Sequence, residues 1–339
     1  MLSPVQLRFD SWKTEWRNLT VLLDSRPSFR AALHDLRLYH ELTEFLDENP
    51  ADFIPKRRWR KDGLLSLLAF AIERRALRFG VKDRRKPPRG IVPVHGGCAL
   101  ALDNVPWQQG FRQFPYPKAI NGNAYHVMPQ VQSFAEEHHT LAAAKCELQE
   151  WRPSQTVLHR RVVDACTISA LLGWMVLYNG DGAGDSIPEW FHLHGLLPPE
   201  DLPIQQAFAL AGRTAGLVER IDEPFWPLPA YRITGSAEAI AGEVTKLALH
   251  CNEVAGSGAT ESMAFYPGNN AVVCIYVPRD RGREWVEEFG GKPGAFEVAA
   301  GCLVQSAPDR CARLRAGGIS FEDLWEMLRG VRPGWANEL

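Results

Sequence analysis

Apolar residues at helical spacing open the chain. Leu33, Leu36, Tyr39, Leu42, Phe45 and Leu46 recur three or four residues apart, and Leu64 to Leu77 continues the pattern, so residues 5 to 80 read as mostly helical. The Lys86-Pro87-Pro88-Arg89-Gly90 segment ends any helix, because proline has no amide hydrogen and its ring clashes with the preceding turn. From about 91 to 130, short apolar runs stand between Pro, Gly and Asn, the texture of turns and strands. Gln155 to Leu172 reads as an amphipathic helix that buries Val157, Val162, Val163, Cys166, Ile168 and Leu171. Trp174 to Tyr178 follows as a fully apolar strand. A turn of small residues, Asn179 to Ser186, then leads into a short histidine-bearing strand, Trp190 to His194.

The second half repeats the alternation loosely. Ala237 to His250 reads as a helix, Ala271 to Pro278 as a strand, Glu297 to Ser306 as strand or loop, and Phe321 to Val331 as a closing helix. Helix followed by antiparallel strands, twice over, predicts an α+β protein with two related halves. The expected division is a helical N-terminal region over 1–90, a first half carrying the histidines over 91–215, and a second half over 216–339.

Composition narrows the class. The chain has 339 residues, 45% apolar and 23% charged, which is ordinary for a folded protein. With 38 basic against 40 acidic side chains, its charge of −2 argues against a nucleic-acid or membrane binder. The basic runs Lys56 to Lys61 and Lys82 to Arg89 read as solvated surface. No secretory signal opens the sequence, and the longest apolar run, Thr167 to Tyr178, is about half of what a bilayer requires. Seven cysteines without framework spacing suit a reducing compartment, so the expectation is a cytoplasmic protein.

Candidate chemistry concentrates in Tyr178-Asn179-Gly180-Asp181-Gly182-Ala183-Gly184-Asp185-Ser186-Ile187-Pro188-Glu189-Trp190-Phe191-His192-Leu193-His194-Gly195. Side chains two apart on a strand share a face, so Trp190, His192 and His194 point the same way. Of two adjacent imidazoles, one can attack phosphorus while the other donates a hydrogen bond to phosphoryl oxygens. The glycines let backbone amides approach an anion, and with Asn179 and Ser186 they can hold a phosphate chain without a metal or cofactor. A zinc pair is the rival reading, but it needs further ligands, with His95, Cys98 or His138-His139 as the candidates. A glycine loop beside two hydrogen-bonded histidines is the plain structural one.

Other residues have two readings as well. Arg279-Asp280-Arg281-Gly282-Arg283 either grips phosphates or forms a solvated turn. His138-His139, beside Glu136-Glu137, either helps at the site or forms the end of a surface helix, the latter being the preferred reading. Trp107, Trp151, Trp174 and Trp226 read as core.

The strand, the Asn-Gly-x-Gly-x-Gly-x-Ser turn and the His-Leu-His-Gly sequence resemble the histidine-triad (HIT-like) superfamily. Within it, the chain resembles the galactose-1-phosphate uridylyltransferase-like branch, and most of all the GDP-L-galactose and GDP-D-glucose phosphorylases. Leu202-Pro203-Ile204-Gln205-Gln206-Ala207 stands where those proteins have a Leu-Pro-Val-type segment. Ile72-Glu73-Arg74, Arg84 to Arg89 and Phe296-Glu297-Val298-Ala299 extend the likeness over roughly residues 70 to 305. The resemblance implies a HIT-like antiparallel sheet with flanking helices. It makes His192 the nucleophile and His194 the residue that stabilises the phosphoryl group, with Trp190 in the place of a first histidine. The other register makes His194 the nucleophile and puts Leu196 where Gln or His is expected. The first keeps both functional positions polar.

The resemblance further assigns nucleotide and phosphate contacts to Asn179, Gly182, Gly184, Asp185, Ser186 and Gln206. It implies a nucleotidyltransferase of phosphorylase type, acting on a nucleoside-diphosphate sugar or related nucleotide through a nucleotidyl-histidine, with phosphate as acceptor. A nucleotide hydrolase and a catalytically silent nucleotide-binding protein are the alternatives. Neither a metal nor a cofactor is required, and a homodimer is the assembly the resemblance allows.

Overall fold

The computed structural model describes residues 4–42, 51–53, 57–61, 65–74, 87–88, 91–108, 113–130, 135, 137–152, 154–185, 187–212, 216–268, 271–287, 290–305 and 308–339. The chain begins with helices α1 (Pro4–Asp24) and α2 (Phe29–Leu42), followed by strands β1 (Ala51–Phe53), β2 (Arg57–Lys61) and β3 (Leu65–Arg74). A short helix α3 (Val105–Gln108) precedes strands β4 (Tyr116–Ile120), β5 (Asn123–Pro129) and β6 (His139–Ala143). Helix α4 (Gln155–Leu172), strands β7 (Met175–Asn179) and β8 (His192–Leu196) and helix α5 (Pro203–Ala211) come next. Strands β9 (Val218–Ile221) and β10 (Ala230–Gly235), helix α6 (Ala237–Ala255) and strands β11 (Ala259–Pro267) and β12 (Val272–Asp280) follow. The chain closes with α7 (Ala295–Val298), β13 (Cys302–Gln305), α8 (Pro308–Ala316) and α9 (Phe321–Arg329). It is an α+β protein whose strands pair mostly antiparallel.

The chain divides into two compact units, one made of residues 1–51, 74–148 and 189–194, the other of 52–73, 149–188 and 195–339. In the first, Phe9, Trp12, Leu19 and Leu23 form the buried stripe of α1, at spacings that return to one side of a 3.6-residue turn. Trp12 stacks between Trp16 and Phe114, each at 5.7 Å, and donates from Nε1 to the Gln113 carbonyl at 3.1 Å. Phe29, Ala32, Leu33 and Leu36 line α2. These helices cover strands that run β4-β5-β6-β8 in spatial order, with the His192–His194 half of β8 belonging to this unit.

In the second unit the strands run β7-β11-β12-β10-β9 and carry α4 and α6. Gly173 ends α4 in the left-handed region (φ 69°), and the Ser236 hydroxyl caps α6 by accepting from the Ala239 amide. A smaller sheet joins β1, β3 and β13, with β2 on β3.

Four expectations change. Leu171, expected in the buried set of the Gln155 to Leu172 helix, is 55% exposed. Leu64 to Leu77 is not helical where it is described: Leu65–Arg74 is strand β3, paired with β2 antiparallel and with β13 parallel. A run such as Leu-Ser-Leu-Leu-Ala-Phe-Ala-Ile satisfies either structure, and strand partners on both sides decide it. The histidine strand begins at His192 rather than Trp190. Glu297 to Ser306 opens with the last turn of α7 before β13. Phe45, Leu46, Ser306 and, apart from Pro87 and Pro88, the Lys82 to Arg89 run lie outside the described residues. Among the described residues no helix is long and apolar enough to cross a membrane.

Candidate active site

Strand β8 is held at its start by main-chain bonds: the Ala143 amide donates to the Phe191 carbonyl at 2.9 Å. The preceding Trp190 is buried, and its Nε1 donates to the Ala143 carbonyl at 2.8 Å. The Trp190 backbone is thereby fixed, and its carbonyl meets Nδ1 of His192 at 2.9 Å. A carbonyl oxygen only accepts, so the proton sits on Nδ1 and the lone pair on Nε2. His192 itself is buried.

His194 stands beside it, the ring centroids 5.2 Å apart and nearly perpendicular at 81°. His194 keeps a partly exposed edge, yet desolvation of its ring, and after that the nearby His192, push its pKa down to about 3. This imidazole is neutral at any physiological pH.

A third imidazole completes the group. His138 is 4% exposed, and its Nε2 lies 3.1 Å from Nδ1 of His194. Its neighbour His139 is 2% exposed, donates from Nδ1 to the Glu137 carbonyl at 2.7 Å, and is pushed by burial down to about 4. The expected surface helix end is thus a buried strand start. Glu137, in the left-handed region at φ 51°, turns the chain there, and the main chain then runs into β6. The small apolar run Leu141 to Ala144 that follows was the sequence signal for this. The adjacent glutamates masked it.

His95 touches this group from the side, its ring edge-on to Trp190 at 5.1 Å, with backbone φ 45°. Cys98 is fully buried. Among the described residues no three His, Cys, Asp or Glu side chains are arranged to hold a metal ion.

In the second unit the turn after β7 is packed tightly into its surroundings. Asn179 accepts the Ala295 amide on Oδ1 at 2.6 Å, and its carbonyl accepts Gln149 Nε2, also at 2.6 Å. Gly182 (φ 77°) lies so close to Arg281 that a Cβ would sit 2.8 Å from Cγ, and a Cβ on Gly184 (φ 92°) would sit 2.8 Å from both Gly294 Cα and the Pro293 carbonyl. Close approach within the unit accounts for both glycines. Asp185 accepts the Ile187 amide at 2.9 Å, in an Asx turn. Gln206 is half-buried on α5, and Ser186 lies outside the described residues.

The arginine cluster splits by role. Arg279 is fully buried, donates to Ser262 Oγ at 3.0 Å and the Pro293 carbonyl at 2.9 Å, and is lowered by burial to about 10. Arg281 pairs with Asp181 at 3.1 Å and with Glu150. Arg283 donates to the Arg332 carbonyl at 3.1 Å. Arg279 is no solvated turn: it is buried, with Nη1 bonded inside the fold and Nε and Nη2 buried without a hydrogen-bond partner among the described residues. Trp107, Trp151, Trp174 and Trp226 are all buried.

No family model matches the sequence, and no curated protein matches it either. The fold has solved counterparts. The chain is similar to yeast Ap4A phosphorylase Apa2 in complex with AMP, at TM-score 0.57 and 13% identity, over 88% of this chain and 94% of that one. It is similar to a further structure of the same enzyme at 0.57 and 11%, over 88% and 93% of the two chains. For the Ap4A complex the values are 0.56 and 12%, over 88% and 95%.

Proposed function

We propose that the chain is a nucleotidyl-transfer enzyme of phosphorylase type, working through a covalent adduct on His192. Nε2 of His192 attacks the α-phosphorus of a nucleoside diphosphate compound. The N–P bond forms as the anhydride P–O bond breaks, and the leaving group departs as a phosphate ester. Phosphate then attacks the adduct, which restores the neutral imidazole and releases a nucleoside diphosphate. His194 donates to the phosphoryl oxygens, where charge builds up.

The hydrogen bond from His192 Nδ1 to the Trp190 carbonyl carries this reading, because it puts a lone pair on the nitrogen that must attack. The fold likeness to an Ap4A phosphorylase supports it and widens the substrates to test. Dinucleoside polyphosphates join the GDP-hexoses to which the histidine motif has its resemblance. Asn179, Gly182, Gly184, Asp185, Ser186 and Gln206 remain the proposed nucleotide contacts on that resemblance, with backbone amides supplying phosphate donors, since the Asn179 side-chain oxygen and the Asp185 carboxylate can only accept.

Product analysis tests the reaction. With Ap4A, GDP-glucose or GDP-L-galactose, turnover that requires inorganic phosphate and yields a nucleoside diphosphate is the expected result. Equal turnover without phosphate makes the enzyme a hydrolase. A second reading, nucleotide binding without turnover, draws on Trp190 in a histidine's place; calorimetric binding without products from any of these nucleotides would favour it.

A further inference from the structure

His138 immediately precedes β6 and His139 begins it, and in extended backbone such neighbours face opposite ways. His139 turns toward the helical layer, where Arg37 and His40 of α2 bear on its charge. His138 turns toward β8, and its Nε2 meets Nδ1 of His194 at 3.1 Å with the rings tilted by 51°. Its backbone is tied as well, the Gln130 amide donating to its carbonyl at 2.9 Å. The imidazole is therefore held from both its main chain and its ring.

The two catalytic candidates differ in what sets their tautomers. A carbonyl faces Nδ1 of His192 and leaves no choice. An imidazole nitrogen faces Nδ1 of His194, and such a nitrogen either donates or accepts. Either His194 donates and presents a bare Nε2, or His138 donates and His194 presents Nε2–H. The second arrangement places both rings in the Nε2–H form that neutral histidine itself favours in water. It is also the only one that gives a phosphoryl oxygen a donor rather than a lone pair.

We propose that His138 is a positioning residue of this site: its Nε2–H donates to Nδ1 of His194 and holds His194 as the Nε2–H tautomer that faces the substrate phosphate. The role of the presented proton rests on the nucleotidyl-transfer reading, while the tautomer does not. His192 and His194 thus carry their protons on opposite nitrogens, one ring set to attack and its neighbour to donate. A sequence with tryptophan in place of a first histidine draws its third imidazole from the residue that leads into β6.

The test is two-bond 1H–15N spectroscopy of 15N-histidine-labelled protein without substrate, combined with steady-state kinetics on Ap4A and GDP-glucose. In wild type, Nε2 of His194 is expected to be protonated and Nδ1 bare. His138→Gln places an amide donor where Nε2–H stood, and it should keep that signature and keep kcat within about threefold. His138→Leu should give a mixture of tautomers and lower kcat roughly 10- to 100-fold with KM nearly unchanged. An Nδ1–H signature for His194 in wild type, or an unaltered one in folded His138→Leu, overturns the proposal. Should His138→Leu fail to fold, the wild-type and His138→Gln spectra still decide. Absence of turnover in wild type counts against the reading of the reaction alone, because the spectra need no substrate.

Discussion

The carbonyl oxygen of Trp190 lies 2.9 Å from Nδ1 of His192, two residues further along the chain. The side chain of Trp190 is anchored separately, through Nε1 to the Ala143 carbonyl at 2.8 Å. Trp190 stands where the histidine motif that the sequence resembles has a histidine, and it still supplies an acceptor to His192 Nδ1, since any residue at that position has a carbonyl. The indole adds rigidity to it. Substitution at the first histidine position leaves the tautomer of His192 in place.

His194 is a donor in this account, so the character of its replacement matters more than its size. His194→Leu is expected to lower kcat by about 10² to 10³, the usual cost of removing a donor from a developing oxyanion. His194→Gln keeps a donor and should lose no more than about tenfold. Equal losses in the two variants, by steady-state kinetics on a turned-over nucleotide, would refute the donor role.

The glycine turn of the second unit is required by packing. Gly184→Ala combines a left-handed φ of 92° with a contact at 2.8 Å to Pro293 and Gly294 backbone. Gly122 has φ 81° and nothing within 4 Å of an added Cβ. Gly122→Ala should cost about 1 kcal/mol and Gly184→Ala well above 2 kcal/mol, in urea unfolding with unchanged m. Equal costs would mean that the turn tolerates displacement.

Acid should weaken the fold through its buried imidazoles. Burial lowers His40, His126 and His139 to about 4 and His194 to about 3. An unfolded chain takes up protons on these groups below about pH 6.5, while the folded chain does not, so their contribution is complete above that pH and is lost as pH falls toward 4. Glu297 acts in the opposite sense, because burial raises it to about 7 and its contribution is lost as pH rises from about 4.5 to 7. Four histidines outweigh one glutamate. The unfolding free energy from urea titration should fall by at least about 2 kcal/mol between pH 7.5 and pH 5. Constant or rising stability over that interval contradicts this.

Much of this organisation is legible in the sequence where one period dominates. Gln155 to Leu172 is helix α4 to the residue, and the apolar run after it is β7 within one position. Leu65–Arg74 is not legible, because a continuous apolar run fits helix and strand alike and its partners on β2 and β13 settle the matter. Helix α5 is legible only at its start, where Pro203 stands in the first turn; its nine residues are too few for a helical period to stand out. At the candidate site, His192 and His194 stand out through their spacing. His138 does not, since only pairing of strands brings residue 138 to residue 194. The internal partners of the glycine turn, Arg281, Pro293 and Gly294, lie far along the chain and leave no local trace.

Intact-protein mass spectrometry tests the central claim most directly. Wild type, His192→Ala and His194→Ala are each incubated with Ap4A, GDP-glucose or GDP-L-galactose in the absence of phosphate, then quenched without acid. The account predicts a gain of one nucleoside monophosphate group in wild type, no gain in His192→Ala, and loss of the wild-type adduct when phosphate is added. Wild-type mass unchanged by every one of these nucleotides, or an adduct that persists in His192→Ala, contradicts it.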